Sequence, residues 1–72
     1  MKDRVKKLST KESTVLKLMK MGKRNREIAS FMEVNEKTVS TYVMRLKKKM
    51  LLEKEANAYL VVSRGIELGY VI

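Results

Sequence analysis

One apolar stripe constrains the fold of this chain more than any other feature. It recurs at intervals of four, three and four residues: Val39, Val43, Leu46 and Met50. This spacing predicts a helix over about 36–49, with Asn35 as a suitable N-cap residue. The opposite face has no acid beyond Glu36 at the helix start. Because a helix of this kind must bury its stripe, the rest of the chain has to supply packing partners.

Two shorter helices are predicted before it. Ser9 and Glu12 have the spacing of a capping box, so a first helix is expected over about 10–21, with Gly22 just after its end. A second helix is expected over about 25–32. We expect its apolar face to carry Ile28, Phe31 and Met32.

The C-terminal segment allows two interpretations. Residues 54–68 suit a fourth helix that ends before Gly69, whereas residues 51–55 and 59–63 suit the two strands of a hairpin. Under both interpretations we expect Tyr59 and Tyr70 to be buried. The predicted fold is an all-α, compact four-helix domain, and the alternative is a three-helix core with a C-terminal β-hairpin wing and a short final helix.

Composition excludes several classes of function. The chain has 72 residues with neither His nor Cys, so Ser/His/Asp catalysis and the usual zinc sites are excluded. We therefore expect no enzyme, no metal, no cofactor and no small-molecule ligand within this chain. The longest apolar run, residues 58–62, is far shorter than the roughly 20 residues that span a bilayer. No membrane association is predicted, and the expected location is the cytoplasm.

Positive charge is concentrated in one part of the sequence. Residues 1–49 contain fifteen Lys and Arg against five acids, whereas residues 50–72 contain two against three. A one-sided positive field attracts polyanions, and inside a cell that mostly means nucleic acid. We expect residues 1–7 to form a flexible basic arm and residues 8–72 to form the nucleic-acid-binding domain.

A short helix, a tight turn and a longer helix form a helix-turn-helix pattern. Ala29 allows the two helices to cross closely, while Glu33 stands in the turn where glycine is common. Four segments and Gly22 add more specific motifs: Leu8-Ser9-x-Lys11-Glu12-x-x-Val15-Leu16-x-Leu18, Asn25-x-Glu27-Ile28-Ala29, Val34-Asn35-Glu36-Lys37-Thr38-Val39-Ser40-Thr41-Tyr42 and Arg45-Leu46-x-x-Lys49-Met50. Together they resemble the LuxR/GerE-type DNA-binding domain over about residues 8–50.

The resemblance implies a four-helix fold whose third helix enters the major groove and whose fourth helix builds a homodimer, here through residues 54–72. The chain departs from the family pattern at Arg24, where a Ser or Thr usually caps the second helix, and after the third helix, where a glycine is usual. A rival resemblance concerns the tail. Residues 45–55 and 59–68 are similar to the wing hairpin of winged-helix regulators.

The family pattern also implies which side chains contact DNA. The expected base-reading residues are Lys37, Ser40, Thr41 and Met44: hydroxyls and an ammonium can bond base edges, and a thioether suits a thymine methyl. Phosphate contacts are expected at the start of the second helix, where free amides add positive potential, and beside the third helix. These residues are Lys23, Arg24, Asn25, Arg26, Thr38, Arg45, Lys47 and Lys48.

The sequence thus predicts a transcription regulator, or the output domain of one, that binds double-stranded DNA sequence-specifically at the nucleoid. The alternative is a protein-interaction module that binds polymerase or another regulator without reading DNA.

Overall fold

A computed structural model describes residues 6–72, so residues 1–5 of the predicted basic arm lie outside the described residues. Within 6–72 the chain forms four helices and no strand. They are α1 (Thr10–Lys20), α2 (Asn25–Met32), α3 (Glu36–Lys49) and α4 (Ala58–Glu67). None of these helices is long and apolar enough to cross a membrane. The predicted all-α, four-helix fold is confirmed.

Side-chain caps explain where the helices begin. At α1 the Ser9 hydroxyl accepts from the Glu12 N–H at 3.1 Å, and the Glu12 carboxylate accepts from the Ser9 N–H at 3.0 Å. At α3 the Asn35 carbonyl oxygen accepts from the Thr38 N–H at 2.8 Å. Each contact satisfies a donor that has no acceptor within its helix. The predicted bounds of the first three helices are confirmed to within one residue.

The fourth helix starts four residues later than predicted. Residues 53–56 form a turn, with the Ala56 N–H donating to the Glu53 carbonyl, and the Asn57 side chain caps α4 by accepting from the Leu60 N–H at 2.9 Å. The helix ends before Gly69, as expected, and Gly69 has a φ of 83°. The hairpin alternative is wrong, because residues 59–63 lie within α4.

The core lies between α1 and the other three helices. Its fully buried side chains come from every helix: Val15, Leu16, Ile28, Val39, Leu46, Met50 and Val61. Of the predicted α3 stripe, Val43 alone is only half-buried. Gly65 lets α4 approach α1 closely, since a Cβ there would stand 2.9 Å from a Leu16 methyl carbon. The packing of α3 against α1 therefore fixes which face of α3 remains outside.

Two aromatic side chains lie outside the core, contrary to expectation. Phe31 is 69% exposed because α2 buries Ile28 and Ala29 instead, so Phe31 lies about 100° away from the centre of the buried face. Tyr59 is 74% exposed because α4 turns Val61 and Gly65 inward, nearly opposite to it. Tyr70 is half-buried and packs against the core.

Within residues 6–72, two residues other than glycine adopt left-handed backbone conformations, and both lie at helix ends. Glu33, in the turn between α2 and α3, has a φ of 59°, and Leu51, just after α3, has a φ of 61°. The β-carbon of an L-residue makes this conformation costly, by about 1–2 kcal/mol. These are the two positions where the sequence departs from the usual glycine, so the chain carries a side chain in a strained conformation at each.

Substitution of Leu51 by glycine is expected to stabilise the protein. The side chain is 88% exposed, so little packing is lost, and relief of the left-handed strain should raise the free energy of unfolding by about 0.5–1 kcal/mol. Leu51→Ala is the matched control, because it removes the same side chain and keeps the β-carbon. Urea denaturation of both variants measures the effect. Equal stability of Leu51→Gly and Leu51→Ala would contradict the explanation.

Candidate nucleic-acid interface

The outer face of α3 presents the four predicted base-reading residues to solvent. Lys37, Thr41 and Met44 lie near the middle of this face, and Ser40 lies on one flank; all four are exposed. The Met44 side chain is 51% exposed although it is apolar. The helix therefore displays a thioether, a hydroxyl and the ammonium groups of Lys37 and Lys48 opposite its buried stripe, with the Ser40 hydroxyl at the edge.

Hydrogen bonds orient both hydroxyls on this face. The Thr41 hydroxyl donates to the Lys37 carbonyl at 3.1 Å, which leaves its oxygen lone pairs as acceptors. The Ser40 oxygen accepts from the Asn25 side-chain amide at 3.4 Å. This contact joins the start of α2 to the Ser40 flank of α3, so Asn25 lies beside that flank.

The start of α2 is cationic and lacks the usual side-chain cap. Lys23, Arg24, Asn25 and Arg26 are all exposed there. Arg24 occupies the N-cap position and has no side-chain acceptor for the first-turn amides, as its residue type predicts. Glu27 supplies the other half of the cap, accepting from the Arg24 N–H at 2.8 Å. This backbone hydrogen bond, followed by the neighbouring cations, lowers the pKa of the Glu27 carboxyl.

The C-terminal half of α3 is also cationic, but two of the phosphate contacts predicted for this helix are engaged within the protein. Arg45 and Lys48 are exposed. The half-buried Thr38 hydroxyl donates to the Asn35 side chain at 2.9 Å. Lys47, near the Ser40 flank, donates its ammonium to the Lys54 carbonyl at 2.8 Å. Arg45 and Lys48 are thus exposed to solvent, whereas the side chains of Thr38 and Lys47 stabilise local turns.

A cleft of about 390 Å³ lies beside the C-terminal half of α3. Its walls include Met44 and Leu52 as apolar groups and Arg45, Lys48 and Lys54 as cations. Leu52 and Lys54 come from the segment between α3 and α4, and nothing in their sequence pattern indicated that they would border the reading face. They extend the predicted surface beyond the helix-turn-helix motif.

An ion pair on the Arg45 side of α3 is the main feature that the sequence did not indicate. The Lys49 ammonium lies 2.6 Å from a Glu12 carboxylate oxygen, and the Glu12 side chain is only 4% exposed. The same ammonium donates to the Lys7 carbonyl at 2.9 Å. This contact joins the start of α1, the end of α3 and the segment before α1, although the paired residues are 37 positions apart.

Opposing effects act on the Glu12 carboxyl. Burial alone raises its pKa, whereas hydrogen bonds from Lys49 and from the Ser9 N–H, with the positive charge of Lys49, lower it. The lowering effects are larger together, so the pKa lies below the ordinary 4.5. Glu12 is therefore a permanent anion near neutral pH, and it neutralises one cation of this flank.

Comparison of the sequence with known proteins identifies a family. Residues 6–62 match the model for bacterial regulatory proteins of the luxR family. Over 43 residues, 60% of the chain, the sequence is 42% identical to the response regulatory protein YgeK of Escherichia coli K12 and 49% identical to BvgA of Bordetella pertussis, which is named as a transcription regulator of virulence factors. These matches cover 29% and 21% of the relatives' own length. No solved structure matched the chain.

Replacement of Glu12 by glutamine is expected to lower the free energy of unfolding by about 1–2 kcal/mol at pH 7, because the half-buried Lys49 ammonium loses its charge partner. The folded-state pKa of Glu12 lies below its unfolded value, so its contribution is present above pH 4.5 and disappears as the pH falls through the folded-state pKa. Urea denaturation of both proteins between pH 7 and pH 3 should give a difference that is constant above pH 5 and shrinks below pH 4.5. A difference that persists unchanged to pH 3 would contradict this assignment.

Proposed function

The chain belongs to the luxR family of bacterial regulatory proteins, and on that basis we propose that it binds double-stranded DNA sequence-specifically, with α3 in the major groove. One observation supports this most directly. The exposed face of α3 carries a half-exposed methionine among cations: Lys37 and Lys48 lie on the same face, Arg45 lies on one flank, and the cationic start of α2 lies along the other.

The dimensions of this surface fit a groove. An α-helix with its side chains is about 10–12 Å across, and the major groove of B-DNA is about 12 Å wide. A helix that fills the groove brings its flanks close to the two phosphate backbones. Cations on both flanks match that arrangement: phosphate contacts at the edges position the domain, and the central side chains meet the bases.

The central residues divide the proposed readout among different base groups. The Lys37 ammonium can donate to guanine O6 or N7, and the Thr41 oxygen can accept from an exocyclic amine. Met44 suits a thymine methyl, an apolar group that the major groove exposes. Ser40 is held near Asn25 and contributes a hydroxyl at the edge of the same surface. We assign backbone contacts to Lys23, Arg24, Asn25, Arg26, Arg45 and Lys48, with Thr38 and Lys47 in supporting positions.

We assign the chain a role in transcription regulation, in the cytoplasm at the nucleoid. The proposed role is based on two relatives, which are named as a response regulatory protein and a transcription regulator. The chain spans less than a third of their length, so we propose only DNA binding for it and not the other activities of those whole proteins. On this proposal the chain is a regulator or its output domain.

We further propose a homodimer through the C-terminal segment, residues 54–72. The outward face of α4 carries Tyr59, which is 74% exposed, and Ile66, which is 46% exposed, with the half-buried Val62 beside them. Burial of such side chains against the same face of a second protomer would remove apolar area from water. A symmetric dimer would place two α3 helices on half-sites about one helical turn apart.

Selection of binders from a random duplex pool tests sequence-specific reading. Wild type should enrich one motif, and Met44→Ala should relax the preference at a thymine position, because the methyl contact is lost. Lys37→Ala should change the preference at a guanine position, whereas the phosphate variant Arg26→Ala should weaken binding uniformly by about tenfold or less without changing the motif.

Recovery of no enriched motif by the wild type, with binding lost at physiological salt, would contradict DNA reading and favour the protein-interaction module. Uniform weakening in both Met44→Ala and Lys37→Ala would reduce α3 to a phosphate-binding element.

Sedimentation equilibrium tests the proposed dimer. The apparent mass of the wild type should rise with concentration above 8.4 kDa, whereas Ile66→Glu should remain at 8.4 kDa, because a charge on the α4 face opposes burial. Ser30→Glu places the same charge on the exposed side of α2 and should behave as wild type. Equal association of Ile66→Glu and wild type would contradict the assignment to α4.

A further inference from the structure

We infer that Lys6, which lies outside the helix-turn-helix motif, completes a second cleft with Arg45 and Lys48 that binds a phosphate of the DNA backbone. The inference rests on the proposed DNA-binding function. It assigns a ligand to a surface that the motif does not include, and it gives the segment before α1 a part in binding.

The lining of this cleft is cationic. It is formed by Lys6 from the N-terminal segment, Glu12 from α1, and Arg45, Lys48 and Lys49 from α3. Glu12 is the one acid among these residues, and its carboxylate is occupied by the Lys49 ammonium at 2.6 Å and the Ser9 N–H at 3.0 Å. Among residues 6–72, the pairing of Glu12 with Lys49 leaves Lys6, Arg45 and Lys48 as the cations that line this space. Such a cluster attracts an anion.

Two hydrogen bonds hold the backbone that carries Lys6. The Lys49 ammonium donates to the Lys7 carbonyl at 2.9 Å, and the Tyr70 hydroxyl donates to the Lys6 carbonyl. One anchor comes from α3 and the other from the segment after α4. Because two separate parts of the fold hold this short segment, the backbone of Lys6 is positioned before any ligand binds, and less conformational entropy is lost on binding.

The position of the cleft identifies the anion. Arg45 and Lys48 line this cleft and also the neighbouring cleft that contains Met44. The two clefts therefore lie on either side of the same pair of cations, one toward the reading face and one away from it. With α3 in the major groove, the outer cleft faces the sugar–phosphate backbone that borders the groove. Lysines bind phosphate as point charges, and Arg45 adds a planar donor group.

The salt dependence of duplex affinity tests the inference, using the motif that wild type selects. Wild type should show a log–log slope of about −4 to −5 per protomer, for about five phosphates. Lys6→Ala should make the slope shallower by about 0.9 and weaken binding about five- to tenfold at 0.1 M salt, equally on matched and mismatched duplexes. Lys20→Ala is the matched control, because Lys20 is an exposed lysine near the other end of α1, beside residues 69–72. It should leave the slope unchanged.

Tyr70→Phe tests the anchor without changing charge. As a positioning residue, Tyr70 should affect DNA affinity through Lys6, so Tyr70→Phe should weaken binding about two- to threefold in the wild-type background and have no effect in the Lys6→Ala background. A purely structural role would instead change the melting temperature and weaken binding equally in both backgrounds.

The outcomes separate this inference from the proposed function. If wild type selects a motif and shows the steep slope while Lys6→Ala behaves as Lys20→Ala does, phosphate binding by the Lys6 cleft is contradicted. The proposed DNA binding then stands. If wild type itself shows a slope near zero and selects no motif, both are overturned. Retention of the full slope by Lys6→Ala, together with saturable binding of an acidic peptide that Lys6→Ala abolishes, would assign the cleft to a protein partner instead.

Discussion

Burial of the α3 stripe against α1 is the interaction on which the rest of this structure depends. Val39, Leu46 and Met50 are essentially inaccessible to water, as are Val15 and Leu16 of α1. Each such side chain contributes about 1.5–3 kcal/mol through burial, so rotation of α3 about its axis would cost several kcal/mol. The rotation of the helix is therefore fixed, and the face with Lys37, Thr41 and Met44 must point outward. Core packing and the candidate interface are two consequences of the same helical pattern.

Electrostatics then divides the exposed surface. Glu12 neutralises Lys49 at the base of one flank, and Glu27 is bound to the Arg24 backbone at the other. Both carboxylates serve as caps and so occupy fixed positions. The remaining cations surround Met44: Lys37 and Lys48 lie on the outer face of α3, Arg45 lies on one flank, and the start of α2 lies along the other. Because these two acids are tied to helix starts, neither carboxylate extends among the exposed cations, and this supports the proposed contact with two phosphate backbones.

Local signals predicted most of the fold. Asn35, Ser9 with Glu12, and Gly22 mark helix ends through short-range hydrogen bonds or backbone conformation, so the first three helices were predicted accurately. Phe31 was wrongly predicted to lie on the buried face of α2. Because α2 is short, the apolar residues of this helix are consistent with two different buried faces, and the position of α3 selects one of them. The start of α4 was misplaced because residues 53–56 have helical propensity, whereas the capping by Asn57 decides where the helix begins.

The candidate site was predictable only where it follows the helical pattern. Exposure of Lys37, Ser40, Thr41 and Met44 follows from the stripe opposite them. The Glu12–Lys49 pair and the anchoring of the Lys6 and Lys7 carbonyls join residues 37 or more positions apart, and no local pattern carries that information. The strained conformation of Leu51 has a partial signal, since the usual glycine is missing there.

The most direct test of the central claim is to map the DNA-binding surface by nuclear magnetic resonance. Backbone amide shifts of labelled protein would be followed during titration with the selected duplex. The proposed function predicts the largest changes along α3 from Lys37 to Lys48 and at the start of α2, with small changes on the outward face of α1. Changes concentrated on the Phe31 side of α2, with α3 unaffected, would contradict it.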